Sequence, residues 1–538
     1  MPAGTTERRR NAFGIRRTTR SAPRLAAIAI GVIVFAAGCG TSPTPPASPG
    51  ATAIGGSDLP PANGTSPSGS GTVASPAATA PTPAAAHWTD CGGGFQCATV
   101  SVPTDYANPG AASLNVSIVR LPASDPSERI GSLFVNPGGP GESGVDFVRE
   151  AVDVFPRSLL KRFDLVGFDP RGVNFSTPIR CVDNLDNHLS LDPSPDTPAE
   201  LEALVADARS FAADCAARNG NALAHVSTED VARDLDQLRI AVGDEKLTYL
   251  GFSYGTLIGA TYADLFPTRI RAMALDGAVD PALTLPEVRA GQAAGFETAL
   301  DHFLADCAQR TSCLFHEGGQ TRPAFDRLMA RIDAHPLPAT RSGDRRTVGP
   351  GLAWGAVLGS LYSDATWSGL DVALALAARG DGSGFLAMSD PFHGRNKNGS
   401  YLNQIDAYAA NTCLDYPASH DVGSYTALAN RVRPKAPDFA DYAAYNDLVC
   451  AFWPTPATRT PHAVAAVGAP PIVVVGTTGD PATPYAWAKS LATELRTGVL
   501  VTHRGEGHTS FLVSSCVRRA LEAYLTSVEP PPIGTSCD

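Results

Sequence analysis

Lys246-Leu-Thr-Tyr-Leu250 runs directly into Gly251-Phe252-Ser253-Tyr254-Gly255, and a stretch rich in small residues, Thr256 to Phe266, follows. The first run is apolar and β-prone, and the last has helical character. Between them, Gly-x-Ser-x-Gly seats a serine on a sharp strand-to-helix turn. Glycine is needed two positions away on each side, because a side chain there would strike neighbouring backbone. The helix start behind the serine favours negative charge developing at the turn. Alone, the five residues would be a common tight turn with an incidental serine. A strand before and a helix after make them the seat of a nucleophile.

Four more apolar runs end in turns of the same kind. Gly131 to Asn136 runs into Pro137-Gly-Gly-Pro-Gly141, and Phe163 to Phe168 into Asp169-Pro-Arg-Gly172. Ile270 to Leu275 meets Asp276-Gly277, and Ile472 to Val475 meets Gly476-Thr-Thr-Gly479-Asp480. Helical stretches such as Ser227 to Ala241 lie between the runs. This alternation predicts an α/β fold with a mostly parallel central sheet and helices on both faces. Ligand sites in such sheets lie beyond the carboxyl ends of the strands, where all five turns fall. From about Pro281 to about Gly468 the strand runs vanish and Ala-rich helical stretches dominate; the last strand signal resumes at Pro470. The expected division is a sheet domain in two parts, 88–280 and 469–538, with a helical cap, 281–468, inserted between them.

A serine hydroxyl needs a base, and the base an orienting acid. On a strand–turn–helix serine of this kind the chain order is Ser, then Asp or Glu, then His. Asp480 and His508, the latter in Gly505-Glu-Gly-His-Thr509, stand in that order behind Ser253. Asp276 competes as the acid, but a loop after the penultimate strand reaches the histidine loop more naturally. His503 competes as the base, though it sits inside a Val-Leu-Val-Thr run that suits packing. A separation of five positions between His503 and His508 is not helical metal-ligand spacing, so neither a metal nor a cofactor is expected. An oxyanion hole needs two backbone N–H donors. Tyr254, directly after the nucleophile, supplies one, and Gly139 in the glycine turn the other.

The rest of the 538-residue chain speaks to location. Arg8, Arg9, Arg10, Arg16, Arg17, Arg20 and Arg24 precede an apolar run, Leu25 to Ala37, that is short for a spanning helix and fits a signal peptide. Ala36-Ala37-Gly38-Cys39 resembles a bacterial lipobox, with Ala36 where Leu is usual; the reading is a signal peptide over 1–38 and lipid attachment at Cys39. Arg16-Arg17 leaves twin-arginine export open beside the general route. Residues 39–87 are almost wholly Ala, Pro, Gly, Ser and Thr, the composition of a disordered tether. The net charge is −11, and removal of 1–38 would make it more negative. That excludes nucleic acid as a partner and leaves the lipid as the only membrane contact. Ten cysteines remain beyond Cys39, an even number in an exported chain, which favours disulfides over metal sites. Joining sequence neighbours gives Cys91–Cys97, Cys181–Cys215, Cys307–Cys313, Cys413–Cys450 and Cys516–Cys537.

Taken together, Asn136-Pro-Gly-Gly-Pro-Gly141, Asp169-Pro-Arg-Gly172, Gly251-Phe-Ser-Tyr-Gly-Thr256, Gly479-Asp-Pro-Ala-Thr-Pro484 and Gly505-Glu-Gly-His508 resemble the exported tripeptidyl aminopeptidases of actinobacteria. These are a branch of the α/β-hydrolase fold related to prolyl aminopeptidases, and the resemblance runs from about Cys91 to the C-terminus. It implies a serine exopeptidase that takes short peptides from free N-termini, with a helical cap over the site, and it supports Asp480 as the acid. The prolyl branch has His before Gly-Gly-Pro-Gly; Pro137 stands there, which disfavours prolyl-specific cleavage. A carboxylesterase or lipase on the same triad is the alternative, and a non-catalytic binding protein on a hydrolase fold a third reading. An aminopeptidase must pair its substrate's ammonium. Ala410-Asn-Thr-Cys-Leu-Asp415 resembles the family's short Cys-x-Asp element, which makes Asp415 the candidate partner, with Glu142 beside the oxyanion turn as its rival.

Overall fold

The computed structural model describes residues 81–341 and 343–538. The expected signal peptide, Cys39 and nearly all of the expected tether lie outside the described residues. The strands are β1 (Thr89–Asp90), β2 (Gln96–Pro103), β3 (Ser113–Leu121), β4 (Gly131–Asn136), β5 (Phe163–Phe168), β6 (Leu247–Phe252), β7 (Ile270–Asp276), β8 (Leu337–Pro338), β9 (Thr347–Val348), β10 (Ile472–Gly479), β11 (Gly498–Glu506) and β12 (Ser536–Cys537). Ten of them form one sheet in the order β1-β2-β3-β5-β4-β6-β7-β10-β11-β12. From β5 to β12 every pairing is parallel; β1, β2 and β3 form an antiparallel edge. The strands β4, β5 and β6 are buried at every position, as a sheet covered by helices on both faces requires.

Two apolar clusters fill the two faces of this sheet. One contains Phe134, Val166, Tyr249 and Leu257; the other contains Leu133, Leu250, Val473 and Phe511. Alternate residues of one strand thus serve opposite clusters, as the period of two demands. Above the carboxyl ends sits a helical layer with its own core, from Phe296 and Phe303 through Trp354 and Leu374 to Phe439. The short hairpin of β8 and β9 also lies in this segment, where the sequence shows only helical signal.

The helical layer draws on a second segment, inside 88–280. Phe211 and Cys215, on the Pro198–Asn219 helix, share a core cluster with Leu414, Cys450 and Trp453. A Thr197/Glu200 capping box and a proline in the first turn start that helix. Alternating strands and helices cannot show that this crossover turns outward to join the cap. Disulfides join Cys91–Cys97, Cys181–Cys215, Cys307–Cys313, Cys413–Cys450 and Cys516–Cys537. Cys181–Cys215 and Cys413–Cys450 both lie in the shared cluster, and chain-entropy estimates give loops of such length roughly 4 kcal/mol each.

Candidate active site

From Leu247 to Ala260 every residue is buried except Ser253. Its backbone is in the left-handed half of conformational space, φ 53° and ψ −126°, between β6 and the Tyr254–Leu265 helix. A non-glycine residue there stores about 1–3 kcal/mol, and such strain persists only where the surroundings fix it. Both flanking glycines are compulsory. A Cβ at Gly251 would lie 2.4 Å from the Gly255 carbonyl oxygen, and one at Gly255 would lie 2.7 Å from that of Asn136. The Ser253 N–H donates to the Asp276 carbonyl at 3.0 Å, anchoring the turn to the end of β7.

The loop after β10 carries Asp480, and the loop after β11 carries His508. His508 Nδ1 lies 2.9 Å from both carboxylate oxygens of Asp480, and both side chains are buried. Asp480 is held in turn by the N–H groups of Ala482 (3.0 Å) and Thr483 (2.8 Å) and by the Thr483 hydroxyl (2.9 Å). Burial opposes the His508 cation, but the Asp480 charge and hydrogen bond outweigh it, so the imidazole titrates above its ordinary value. Its Nε2 is buried with no hydrogen-bond partner among the described residues, leaving one nitrogen for a proton acceptor's work. The His508 N–H donates to the carbonyl of Tyr362 from the helical layer at 2.8 Å, and the Tyr362 ring meets the imidazole edge-on at 5.5 Å.

The structure separates the rival acids. Asp276 accepts N–H bonds from Ser510 (3.0 Å) and Phe511 (2.7 Å), just beyond the histidine, and burial pushes its carboxyl up to about 6. It shapes the histidine loop rather than bonding the ring. His503 lies on β11 opposite Cys537, away from this junction, and burial lowers its titration.

Behind the serine, Gly138 packs so tightly that a Cβ there would sit 2.9 Å from both Ser253 Cβ and the Tyr254 nitrogen. Its N–H donates to Asn136 Oδ1 at 3.0 Å. The positive φ of Gly138 (109°) and Gly139 (103°) suits only glycine and brings the turn's backbone against the nucleophile. Asn136, Thr483 and Tyr362 escape a reading of the sequence. The first two sit inside the quoted motifs but fall to no motif role, and Tyr362 comes from the cap with no signal at all.

Ser253, Gly139 and Glu142 open onto a cavity of ≈ 400 Å³ between sheet and cap, walled on the cap side by Phe296, Tyr362 and Tyr442. The two candidate ammonium partners differ sharply there. Asp415 is fully buried, accepts the Thr228 N–H at 2.8 Å, and also bonds the Thr228 hydroxyl. It thereby caps the Thr228–Ala241 helix from across the cap boundary. Burial lifts it to about 6. Glu142 has no hydrogen bond or ion pair among the described residues, and burial lifts its carboxyl to about 7. Among the described residues no group of side chains could hold a metal ion.

Residues 131–317 match the family model for the alpha/beta hydrolase fold, and residues 436–537 that for TAP-like protein. The chain is 40% identical over 475 residues to serine protease Hip1 of Mycobacterium tuberculosis, covering 84% of this chain and 90% of that one. It belongs to the tripeptidyl aminopeptidase-like α/β hydrolases. Within that family it is 38% identical to carboxylesterase B of Mycobacterium tuberculosis, over 82% of this chain and 86% of the relative. It is 31% identical to tripeptidyl aminopeptidase of Streptomyces lividans, over 82% and 84%. As a member, the chain is a serine hydrolase, with the α/β-hydrolase fold that the alternating strands predict.

Proposed function

We propose that this serine hydrolase is an exported aminopeptidase that removes short peptides, of the tripeptidyl type, from free N-termini through an acyl-enzyme on Ser253. Its carrying observation is the one accessible residue of the nucleophile turn opening into a capped cavity beside an unpaired carboxylate. His508 Nε2 takes the Ser253 proton as Oγ attacks the scissile carbonyl, and Asp480 holds Nδ1–H and stabilises the imidazolium. The N–H groups of Tyr254 and Gly139 take up the oxyanion charge. His508 then protonates the leaving amine, and water repeats the sequence to release the acyl fragment. The cap restricts entry to chain ends rather than the middle of a folded polypeptide.

Glu142 is the better ammonium partner, because the Asp415 carboxylate is already engaged by Thr228. Glu142→Gln raises KM for free peptides about tenfold, the loss of one charge-assisted contact, and leaves N-blocked and ester substrates within twofold. Equal loss on free and blocked substrates removes this role. The pH profile carries the same signature. A carboxyl lifted to about 7 is charged only above that value, so KM for free peptides falls as pH rises through about 7. Blocked substrates keep only the limb set by His508, which must be neutral to act and so gains activity as pH rises past its raised pKa.

The experiment that tests the whole reading is one panel: free and N-blocked mono-, di- and tripeptide chromogenic substrates beside short- and long-chain esters. Highest kcat/KM on free tripeptides supports it. Highest kcat/KM on esters, with indifference to the free amine, assigns the carboxylesterase activity named for the 38% relative. Export and anchoring through lipid at Cys39 complete the proposal; the disulfides support an oxidising location, and no helix among the described residues is long and apolar enough to cross a membrane. Cys39→Ser releases the protein to the medium or leaves an unprocessed precursor. Unchanged membrane partitioning, with no acyl group by mass spectrometry, overturns the anchor.

A further inference from the structure

The acid loop after β10 is braced by the cap as well as by its own hydrogen bonds. One side of it rests on a cap helix, Leu285–Gln309, which a Thr284/Glu287 capping box starts and whose Arg289 and Gln292 also line the cavity. Gly291, Gln292 and Gly295 face the loop together, as residues one and four apart on a helix can. A Cβ at Gly295 would lie 2.4 Å from the Pro481 carbonyl oxygen, and one at Gly291 would lie 2.6 Å from the Trp487 ring. Helix backbone and loop are therefore in direct contact. Between the two glycines, Gln292 Nε2 donates to the Ala482 carbonyl at 3.0 Å.

That amide has its orientation imposed on it. Arg289, one helical turn earlier, donates to Gln292 Oε1, and an arginine can only donate. The carbonyl end of Gln292 must face Arg289, which turns the NH2 end to Ala482. Arg289 is fixed in its turn by a fork onto the buried carboxylate of Asp447, with Nη2 to Oδ1 at 2.8 Å, and by the Tyr408 hydroxyl. Ala482 closes the chain: its N–H donates to Asp480 Oδ1 at 3.0 Å, and Asp480 holds His508 at 2.9 Å.

We propose that Gln292, oriented by the Arg289–Asp447 pair, is a positioning residue that sets the Asp480 carboxylate against His508, so that the cap takes part in assembling the triad as well as in enclosing substrate. The inference rests on the proposed triad. Its physical basis is that misplacement by about 1 Å of a group oriented for catalysis costs on the order of 10²-fold in rate.

Gln292→Glu tests it. The variant keeps the side-chain volume and the acceptor for Arg289 but loses the donor to Ala482, and sets a carboxylate against a carbonyl. Gln292→Met, uncharged and similar in size, serves should the added charge prevent folding. Expected is a fall in kcat of about tenfold or more with KM within twofold. The factor is the same for a tripeptide and for p-nitrophenyl acetate, and the fluorophosphonate labelling rate falls in parallel. The acid limb of kcat/KM moves to lower pH as Asp480 loosens from His508. Wild-type kcat in both variants overturns the proposal. So does a loss confined to KM on peptides, which would make Gln292 a substrate contact, or a lowered melting temperature with an unmoved pH profile, which would make it structural. Ser253→Ala is run alongside. If it is inactive while the Gln292 variants are normal, only this inference fails; if it retains ester turnover and labelling, the triad and this inference fail together.

Discussion

Ser253→Ala leaves no measurable turnover of peptide or ester and takes no label from a fluorophosphonate, with a loss in kcat on the order of 10⁵–10⁶. The geometry explains why nothing replaces the hydroxyl. Every residue from Leu247 to Ala260 other than Ser253 is buried, and the neighbours that line the cavity, Tyr254 and Leu257, are a buried phenol and an alkyl chain that cannot take over as nucleophile. What remains is binding and the donors of the Tyr254 and Gly139 turns, which stabilise charge but supply no nucleophile. The fold is untouched, because alanine meets the same φ of 53° that serine does and the Ser253 backbone bond to Asp276 survives. Wild-type circular dichroism and melting temperature with lost labelling is the expected pair of readings. Labelling at the wild-type rate sinks the assignment.

Asp480→Asn produces the second-largest effect, a fall in kcat of about 10⁴ with the fold intact. Asparagine still accepts the N–H bonds of Ala482 and Thr483, so the loop keeps its shape. Its amide nitrogen cannot accept from His508, and an imidazole presented with that donor settles in the wrong tautomer. The paired experiment is Asp276→Asn. Here an amide oxygen in the Oδ2 position still accepts the N–H groups of Ser510 and Phe511, while the amide nitrogen in the Oδ1 position faces the Ser510 N–H at 3.1 Å in a buried place, so the damage is to stability, about 1 kcal/mol, more than to rate. A melting-temperature drop in Asp276→Asn beside a rate collapse in Asp480→Asn confirms the division of labour. Near-wild-type kcat for Asp480→Asn, with the collapse in Asp276→Asn, moves the acid role to Asp276.

Local signals carried the fold and most of the site. Strand runs buried on both faces, each ending in a glycine turn, specify a parallel sheet, because period and composition are properties of a few consecutive residues. The nucleophile turn is legible for the same reason: Gly251 and Gly255 are demanded by contacts within five residues and with the neighbouring strand. Chain order sufficed to nominate Asp480 and His508. It left Asp276 in contention, since both acids end strands, and only the folded loops decide which carboxylate meets the ring and which holds the backbone beyond it. The choice between the two proposed ammonium partners turns on a similar point. Asp415 and Glu142 both line the cavity, but Thr228, 187 positions away, occupies Asp415, while Glu142 has no hydrogen bond or ion pair among the described residues. The recruitment of the Pro198–Asn219 helix into the cap, the bond from Tyr362 to the histidine loop and the seat of the acid loop on Gly291, Gln292 and Gly295 have no local signature. They depend on which surfaces long-range packing brings into contact, and that is settled by the shape of both partners, not by the pattern of either segment.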